Sequence, residues 1–339
     1  MAKPIRIAIN GFGRIGRNAF KAGFGNPKLE FVAVNDLTDS ETLAHLLQHD
    51  TVFGNYERTV KAKGADITVG GMLIKVLAEK EPSKLPWKDL KIDVVLECTG
   101  RFASPEGAQQ HIAAGARKVI VSAPVKGGIV PTYVLGTNAS AYSNEPIINN
   151  ASCTTNCISP VASVIHSQFG IKKALMSTVH AITAEQNLVD GPPPGLKKGD
   201  LRRARGAYQN IIPTTTGAAI ATTETIPELK GLFDGIAIRV PVPVVSLTDF
   251  VFLLKKKTTV EEINTAFVAA SKNKFYKGIL GVTNEPVVSS DFIKSSYSAV
   301  VDLSMTKVVD GDFVKVIAWY DNEWGYSCRL VEMALHIGK

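Results

Sequence analysis

Short apolar runs alternating with helix-spaced segments fill the first half of the chain. IRIAIN (5–10) is a run of strand length that meets the turn GFGRIG (11–16), and RNAFKAGF behind it places apolar residues three and four apart, as a helix does. EFVAVND (30–36) is a second strand, ending in the acid Asp36. Strand, glycine turn, helix and strand make one βαβ unit. DVVLECTG (93–100), KVIVSAP (118–124) and YVLG (133–136) continue the series, separated by helical segments such as SPEGAQQHIAAGA (104–116). Wholly apolar strands alternating with helices predict an α/β fold with a doubly wound parallel sheet of Rossmann type, which takes its ligand at the strand ends.

After about residue 152 the rhythm changes. IAIRVPVPVVSLTDFVFLLKK (236–256), SAVVDLSMTKVVDGDFVKVIAWY (298–320) and LMSTVHAIT (175–183) predict long strands joined by turns, with a helix at TVEEINTAFVAASKN (259–273). That is an α+β second domain with a mostly antiparallel sheet. SCRLVEMALHIGK closes the chain as an amphipathic helix. DGPPPGLKKGDLRRARG (190–206) predicts a long basic loop, and loops of that length in compact domains carry function or are disordered.

Composition narrows the classes. With 339 residues, 45% hydrophobic and 20% charged, the chain is long enough for two globular domains. Neither a signal-peptide apolar region nor an uncharged span of about 20 residues is present, so a soluble, cytoplasmic protein with no membrane partner is expected. Four cysteines are too few for a disulfide scaffold. The net charge of +7 favours anionic partners, but the basic residues are dispersed, which argues for small phosphorylated ligands and against a specific nucleic-acid partner.

The turn GFGRIG follows a strand, opens a helix and has Asp36 about 20 residues beyond Gly16, which is the dinucleotide fingerprint. Gly11 makes the tight turn, Gly13 admits the pyrophosphate and Gly16 lets helix and strand approach. Asp36 accepts from a ribose hydroxyl and repels a 2′-phosphate, so NAD is favoured over NADP. In ASCTTNC (151–157), Ser152 is placed to cap a helix whose first turn holds Cys153, Thr154 and Thr155. A thiol there feels the positive helix end, and its pKa is expected to fall toward neutrality. Cys157, one turn on, reads as a buried apolar residue. No second cysteine or histidine pair supports a metal site, and His180 is the best placed partner for the Cys153 thiol among six histidines.

INGFGRIGR, ASCTTNC, TVHA, DLRRAR, IIPTTTGAA, RVPVP and WYDNEWGY, collinear from end to end, resemble the phosphorylating glyceraldehyde-3-phosphate dehydrogenase family. The resemblance implies oxidation of glyceraldehyde 3-phosphate with NAD and inorganic phosphate to 1,3-bisphosphoglycerate through a thioester on Cys153, with His180 as base. It implies Thr183 and Arg239 for the substrate phosphate, and Ser152, Thr154, Thr216 and Gly217 for the attacking phosphate, with Arg203 nearby. Cofactor contacts would come from Gly11, Phe12, Gly13, Arg14, Ile15, Gly16, Asp36, Thr99, Gly100, Ser122, Asn322 and Tyr326. Residues 1–152 and 321–339 would form the NAD-binding domain and 153–320 the catalytic domain, in a homotetramer. Departures are the length of GPPPGLKKG, Gly191 where some relatives carry an apolar residue, and Cys98 where Ser is common. For Lys197 and Lys198 a solvated charged face is expected. The competing readings are erythrose-4-phosphate dehydrogenase and a nucleotide-binding redox sensor.

Overall fold

The computed structural model describes residues 3–192 and 200–338. They gather into two compact units: the first holds the chain up to Tyr133, Ala141–Ala151 and the residues from Ser327 on, the second Val134–Ser140 and Ser152–Tyr326. Lys197 and Lys198 lie outside the described residues.

The first unit runs β1 (Ile5–Asn10), α1 (Arg14–Gly23), β2 (Leu29–Asn35), α2 (Ser40–Gln48), β3 (Val60–Lys63), β4 (Asp66–Val69), β5 (Met72–Leu77), β6 (Val94–Glu97), α3 (Pro105–Ala113), β7 (Lys118–Val121) and β8 (Ile147–Asn149). Its sheet has the order β3-β4-β5-β2-β1-β6-β7-β8. The strands from β5 through β2, β1, β6 and β7 to β8 are parallel, and β3 and β4 add an antiparallel edge. Asp39 and Ser104 start α2 and α3 by accepting from the Thr42 and Gly107 amides. Helix α1 lies so close to the sheet that a Cβ on Gly23 would come within 2.8 Å of the Phe31 ring. Ile7, Ile9, Val34 and Leu96 are buried between the layers, and burial of each such side chain contributes roughly 1.5–3 kcal/mol.

YVLG is not a strand. Asn138 Oδ1 accepts from the Val134 amide at 2.9 Å and draws the backbone into a turn. The last strand of this sheet is instead β8, with Thr132 making one isolated bridge to Asn149.

The second unit contains α4 (Cys153–Phe169), β9 (Ile171–Ala181), β10 (Ile212–Thr215), α5 (Ala218–Thr225), β11 (Phe233–Val240), β12 (Ser246–Leu254), α6 (Val260–Lys272), β13 (Leu280–Thr283), β14 (Ala299–Asp302), β15 (Lys307–Val309) and β16 (Phe313–Tyr320). A last helix, α7 (Trp324–Ile337), begins in this unit and ends in the first. The sheet order is β10-β11-β9-β12-β16-β14-β13, with β15 on β16. Only the β9–β11 and β13–β14 pairs are parallel, so the sheet is mostly antiparallel. The apolar run 236–256 divides at PVPVV because proline offers no N–H to a ladder, and β9 inserts between the two halves. Thr259 and Glu262 form a capping box at the start of α6. One face of α4, through Cys157, Ile158, Val161 and Ile165, packs with Phe250, Phe252, Val314 and Val316 of the sheet.

Candidate active site

Helix α4 and strand β9 bring the thiol and the imidazole together. Ser152 caps α4 by accepting from the Thr155 amide at 3.1 Å, and Cys153 is the first helical residue. Alternation along β9 turns His180 inward, where it is 4% exposed. Cys153 Sγ and His180 Nε2 are 3.5 Å apart. The other ring nitrogen, Nδ1, lies 2.7 Å from the Ala181 carbonyl oxygen, which can only accept, so the proton sits on Nδ1 and Nε2 presents its lone pair to the sulfur.

The expected lowering of the thiol is reversed. Burial pushes Cys153 up from its ordinary value and outweighs the pull of the Arg239 guanidinium and of the hydrogen bonds from Thr154. Burial, helped by the same guanidinium, also drives His180 down to about 3. Neither group gains a charge alone. Moving the proton from Sγ to Nε2 creates both charges at once, and two unit charges about 4 Å apart attract by about 4 kcal/mol at an effective dielectric near 20. The pocket is therefore built for proton transfer coupled to attack. Burial also raises Cys157 and pushes Cys98 up to about 12, and of these thiols Cys153 is the one set against an imidazole.

The register of β9 against β11 sets Arg239 opposite His180. Arg239 Nη1 donates to Thr183 Oγ1 at 2.8 Å and to the Ala181 carbonyl at 3.1 Å, while its buried Nε has no partner. Arg203 Nε donates to Thr214 Oγ1 at 3.0 Å. Nη1 of Arg203 and Nη2 of Arg239 each lie 3.8 Å from Glu185 Oε1. Two guanidiniums and an unpartnered N–H suit a phosphate. Thr216 and Gly217 head a different helix, α5, where Thr216 Oγ1 accepts from the Ala218 amide. No hydrogen bond ties them to the Cys153–His180 pair among the described residues. The Thr154 hydroxyl is 2.9 Å from Tyr320 Oη, itself 2.8 Å from Thr178 Oγ1.

In the first unit the glycine turn has the shape a dinucleotide needs. A Cβ on Gly16 would stand 2.2 Å from the Gly11 carbonyl oxygen, one on Gly11 would stand 2.7 Å from the Thr99 amide, and one on Gly13 would meet nothing within 4 Å. Gly13 precedes α1 without a side-chain cap, so the first amides of the helix have no intrahelical acceptor. Asp36 accepts from the Phe12 amide at 2.8 Å and the Thr38 amide at 3.1 Å, which leaves its carboxylate acceptor capacity for a ribose hydroxyl. Asn10, Gly11, Asn35, Asp36, Leu37, Glu79, Lys80, Thr99, Arg101 and Phe102 line a cavity of about 230 Å³ here. These residues fit NAD. Phe12 is buried, Ile15 half-buried, and Arg14 sends its guanidinium to Asp50 Oδ2 at 2.8 Å. Gly100 sits at φ +67°, and the Ser122 amide donates to the Glu97 carbonyl.

Asn322 and Tyr326 are buried in the second unit. Asn322 Oδ1 lies 3.1 Å from Ser246 Oγ, which accepts from the Ala181 amide. Val245, β-branched at φ +70°, turns the chain so that Ser246 reaches this position. Tyr320, Ser246, Glu185 and Gln186 were not singled out by the sequence. For the last two, the TAEQ run beginning at Thr183 was the available signal. For Ser246 and Tyr320 there was none, because only strand pairing brings them here.

Residues 5–105 match the family model described as "Glyceraldehyde 3-phosphate dehydrogenase, NAD binding domain", and residues 152–322 the one described as "Glyceraldehyde 3-phosphate dehydrogenase, C-terminal domain". Glyceraldehyde-3-phosphate dehydrogenase of Geobacillus stearothermophilus is 50% identical over 335 residues, 98% of each chain. The chloroplastic enzyme GAPA1 of Arabidopsis thaliana is 51% identical over 334 residues, 97% of this chain and 83% of its own. Glyceraldehyde-3-phosphate dehydrogenase 1 of Bacillus subtilis is 48% identical over 337 residues, 99% and 98% respectively.

Proposed function

This chain belongs to the glyceraldehyde-3-phosphate dehydrogenase family, and from that premise we propose that Cys153 is its nucleophile and His180 its general base. The reaction is the NAD-dependent, phosphorylating oxidation of glyceraldehyde 3-phosphate, with inorganic phosphate as the second substrate. The observation that carries the assignment is the 3.5 Å approach of Sγ to an Nε2 whose lone pair is fixed toward it by the Ala181 carbonyl.

Sγ attacks the aldehyde carbon while its proton passes to Nε2. The Cys153 amide at the start of α4 and the imidazolium then face the developing oxyanion. NAD+, when bound, accepts the hydride that leaves this carbon. His180 returns the thiol proton to the oxyanion to make the thiohemiacetal hydroxyl and takes it back as the hydride leaves and the thioester forms. Phosphate then attacks the thioester carbon, the Cys153 sulfur leaves and recovers the proton from His180, and 1,3-bisphosphoglycerate is released. Thr183 and Arg239 hold the substrate phosphate. Ser152, Thr154, Thr216 and Gly217 take the attacking one, with Arg203 alongside. The unpartnered Arg239 Nε supports the first assignment. Gly11 to Gly16, Asp36, Thr99, Gly100 and Ser122 serve the nucleotide, and Asn322 and Tyr326 the nicotinamide. Functionally, residues 1–152 with 321–339 form the NAD-binding domain and 153–320 the catalytic domain.

A homotetramer and cytoplasmic residence complete the reading. Leu175, Ile236, Val309 and Phe313 are between 47% and 63% exposed on the strands of one sheet, which supports subunit contact there. Among the described residues no helix is long and apolar enough to cross a membrane.

The test is NADH formation by Cys153→Ser with glyceraldehyde 3-phosphate, with and without phosphate, and with erythrose 4-phosphate and NADP as comparison substrates. Turnover is expected to fall by more than about a thousandfold while NAD still binds. Undiminished turnover would exclude the thioester route.

A further inference from the structure

Beneath the turn that follows β1 runs a buried chain of hydrogen bonds that the chemistry leaves unused. Glu97, the last residue of β6, is 1% exposed, and His111 of α3 is 0% exposed. Glu97 Oε1 accepts from the Thr99 amide at 2.8 Å and from the Thr99 hydroxyl. Its Oε2 accepts from Asn10 Nδ2 at 2.5 Å and from His111 Nε2 at 2.9 Å. Beyond Asn10, Asn35 Nδ2 donates to Asn10 Oδ1 at 2.6 Å and to the Glu79 carbonyl at 2.9 Å, and Asn35 Oδ1 accepts from the Glu79 amide at 2.9 Å. At the other end Trp87 Nε1 donates to His111 Nδ1 at 3.0 Å.

Both ends fix the direction of every bond. An indole N–H only donates, so His111 Nδ1 keeps its lone pair and Nε2 carries the ring proton toward Glu97. The Glu79 amide and carbonyl decide which end of the Asn35 side chain is oxygen, and Asn35 decides it for Asn10. Glu97 thus meets four donors. A carboxylate, with acceptor positions on both oxygens, satisfies all four.

We propose that this relay, centred on Glu97, is a positioning device for the dinucleotide cleft. Asn10, Asn35 and Glu97 end the three strands β1, β2 and β6, and the segments it holds, at Gly11, Glu79 and Thr99, line the cavity beside Asp36. Holding them in place beforehand removes an ordering cost from cofactor binding. The proposal rests on the reading of this cleft as the NAD site.

The experiment is calorimetric titration of the full-length protein with NAD, alongside a melting curve for each variant. Glu97→Gln sets an N–H against a donor whichever way its amide turns, against Asn10 and His111 on one side or the Thr99 amide on the other, and is expected to weaken NAD binding about tenfold. Asn10→Asp alone sets two carboxylates against each other and weakens binding likewise. The double variant N10D/E97Q moves the carboxylate one place along the relay: the acid now at position 10 accepts from the amide now at position 97 and from Asn35, and His111 Nε2, already 3.5 Å from the side-chain nitrogen of Asn10 in the parent, turns to it. Its affinity is expected within about threefold of the parent. Wild-type affinity in a folded E97Q, or a folded double variant as weak as E97Q, overturns the proposal. Should E97Q fail to fold, N10D against N10D/E97Q makes the same comparison. Asp36→Ala separates the two readings: if it leaves NAD binding intact the cleft assignment fails, whereas a weakened D36A beside an unaffected E97Q removes the relay alone.

Discussion

Each unit buries a histidine, and the two are set to opposite tautomers. In the second unit a carbonyl oxygen holds His180 Nδ1–H and leaves Nε2 with a lone pair facing a thiol. In the first unit the Trp87 indole donates to His111 Nδ1 and leaves Nε2–H facing a carboxylate. One ring presents a lone pair to a thiol, and the other presents an N–H to a carboxylate that already accepts from three further donors. The difference lies in a single neighbour of Nδ1, and it turns the same side chain into a base in one place and a brace in the other. A buried histidine is therefore assigned by the atom that holds its far nitrogen, more than by burial.

The largest test of that contrast is His180→Asn. Loss of the base should lower the turnover number about 100- to 10,000-fold without changing the dissociation constant for NAD. It should also slow alkylation of Cys153 by iodoacetamide near neutral pH, since burial raises the unassisted thiol. Unchanged alkylation in this variant would remove His180 from the activation of the thiol. His111→Asn should act in the other direction. Stranding the Trp87 N–H and one acceptor position of Glu97 costs about 1–3 kcal/mol of stability, read as a lower melting temperature and a larger NAD dissociation constant. A fall in turnover at saturating NAD as large as that of His180→Asn would dissolve the distinction between the two rings.

A last test is a pH dependence. His180 is lowered from 6.5 to about 3 in the fold, so the unfolded chain binds its proton first as pH falls. The stability it contributes is present in full above pH 6.5 and is lost between there and about pH 3, at up to about 1.4 kcal/mol per pH unit. The difference in unfolding free energy between the parent and His180→Asn, followed by urea titration from pH 7 to pH 4, should shrink with that slope. A constant difference would mean that the ring is not held neutral.

The sequence by itself determined the local parts. Gly11 and Gly16 announce a turn that only glycine can make, and the structure gives the reason in approaches of 2.7 and 2.2 Å that admit no Cβ. Ser152 announces a helix start because a cap needs only residues within one turn. The two sheets were legible because their apolar runs differ in rhythm, and YVLG was misjudged as a strand because one asparagine side chain outcompeted a ladder in so short a run. What only the tertiary structure decided is everything that depends on the state of a buried group. The register of β9 against β11 puts Arg239 beside His180, strand order brings Tyr320 and Ser246 to the same pocket, and burial reverses the shift that the helix start alone implied for Cys153. Backbone geometry is a short-range property and is written in neighbouring residues. Desolvation and hydrogen-bond direction belong to atoms that meet only when the chain is packed.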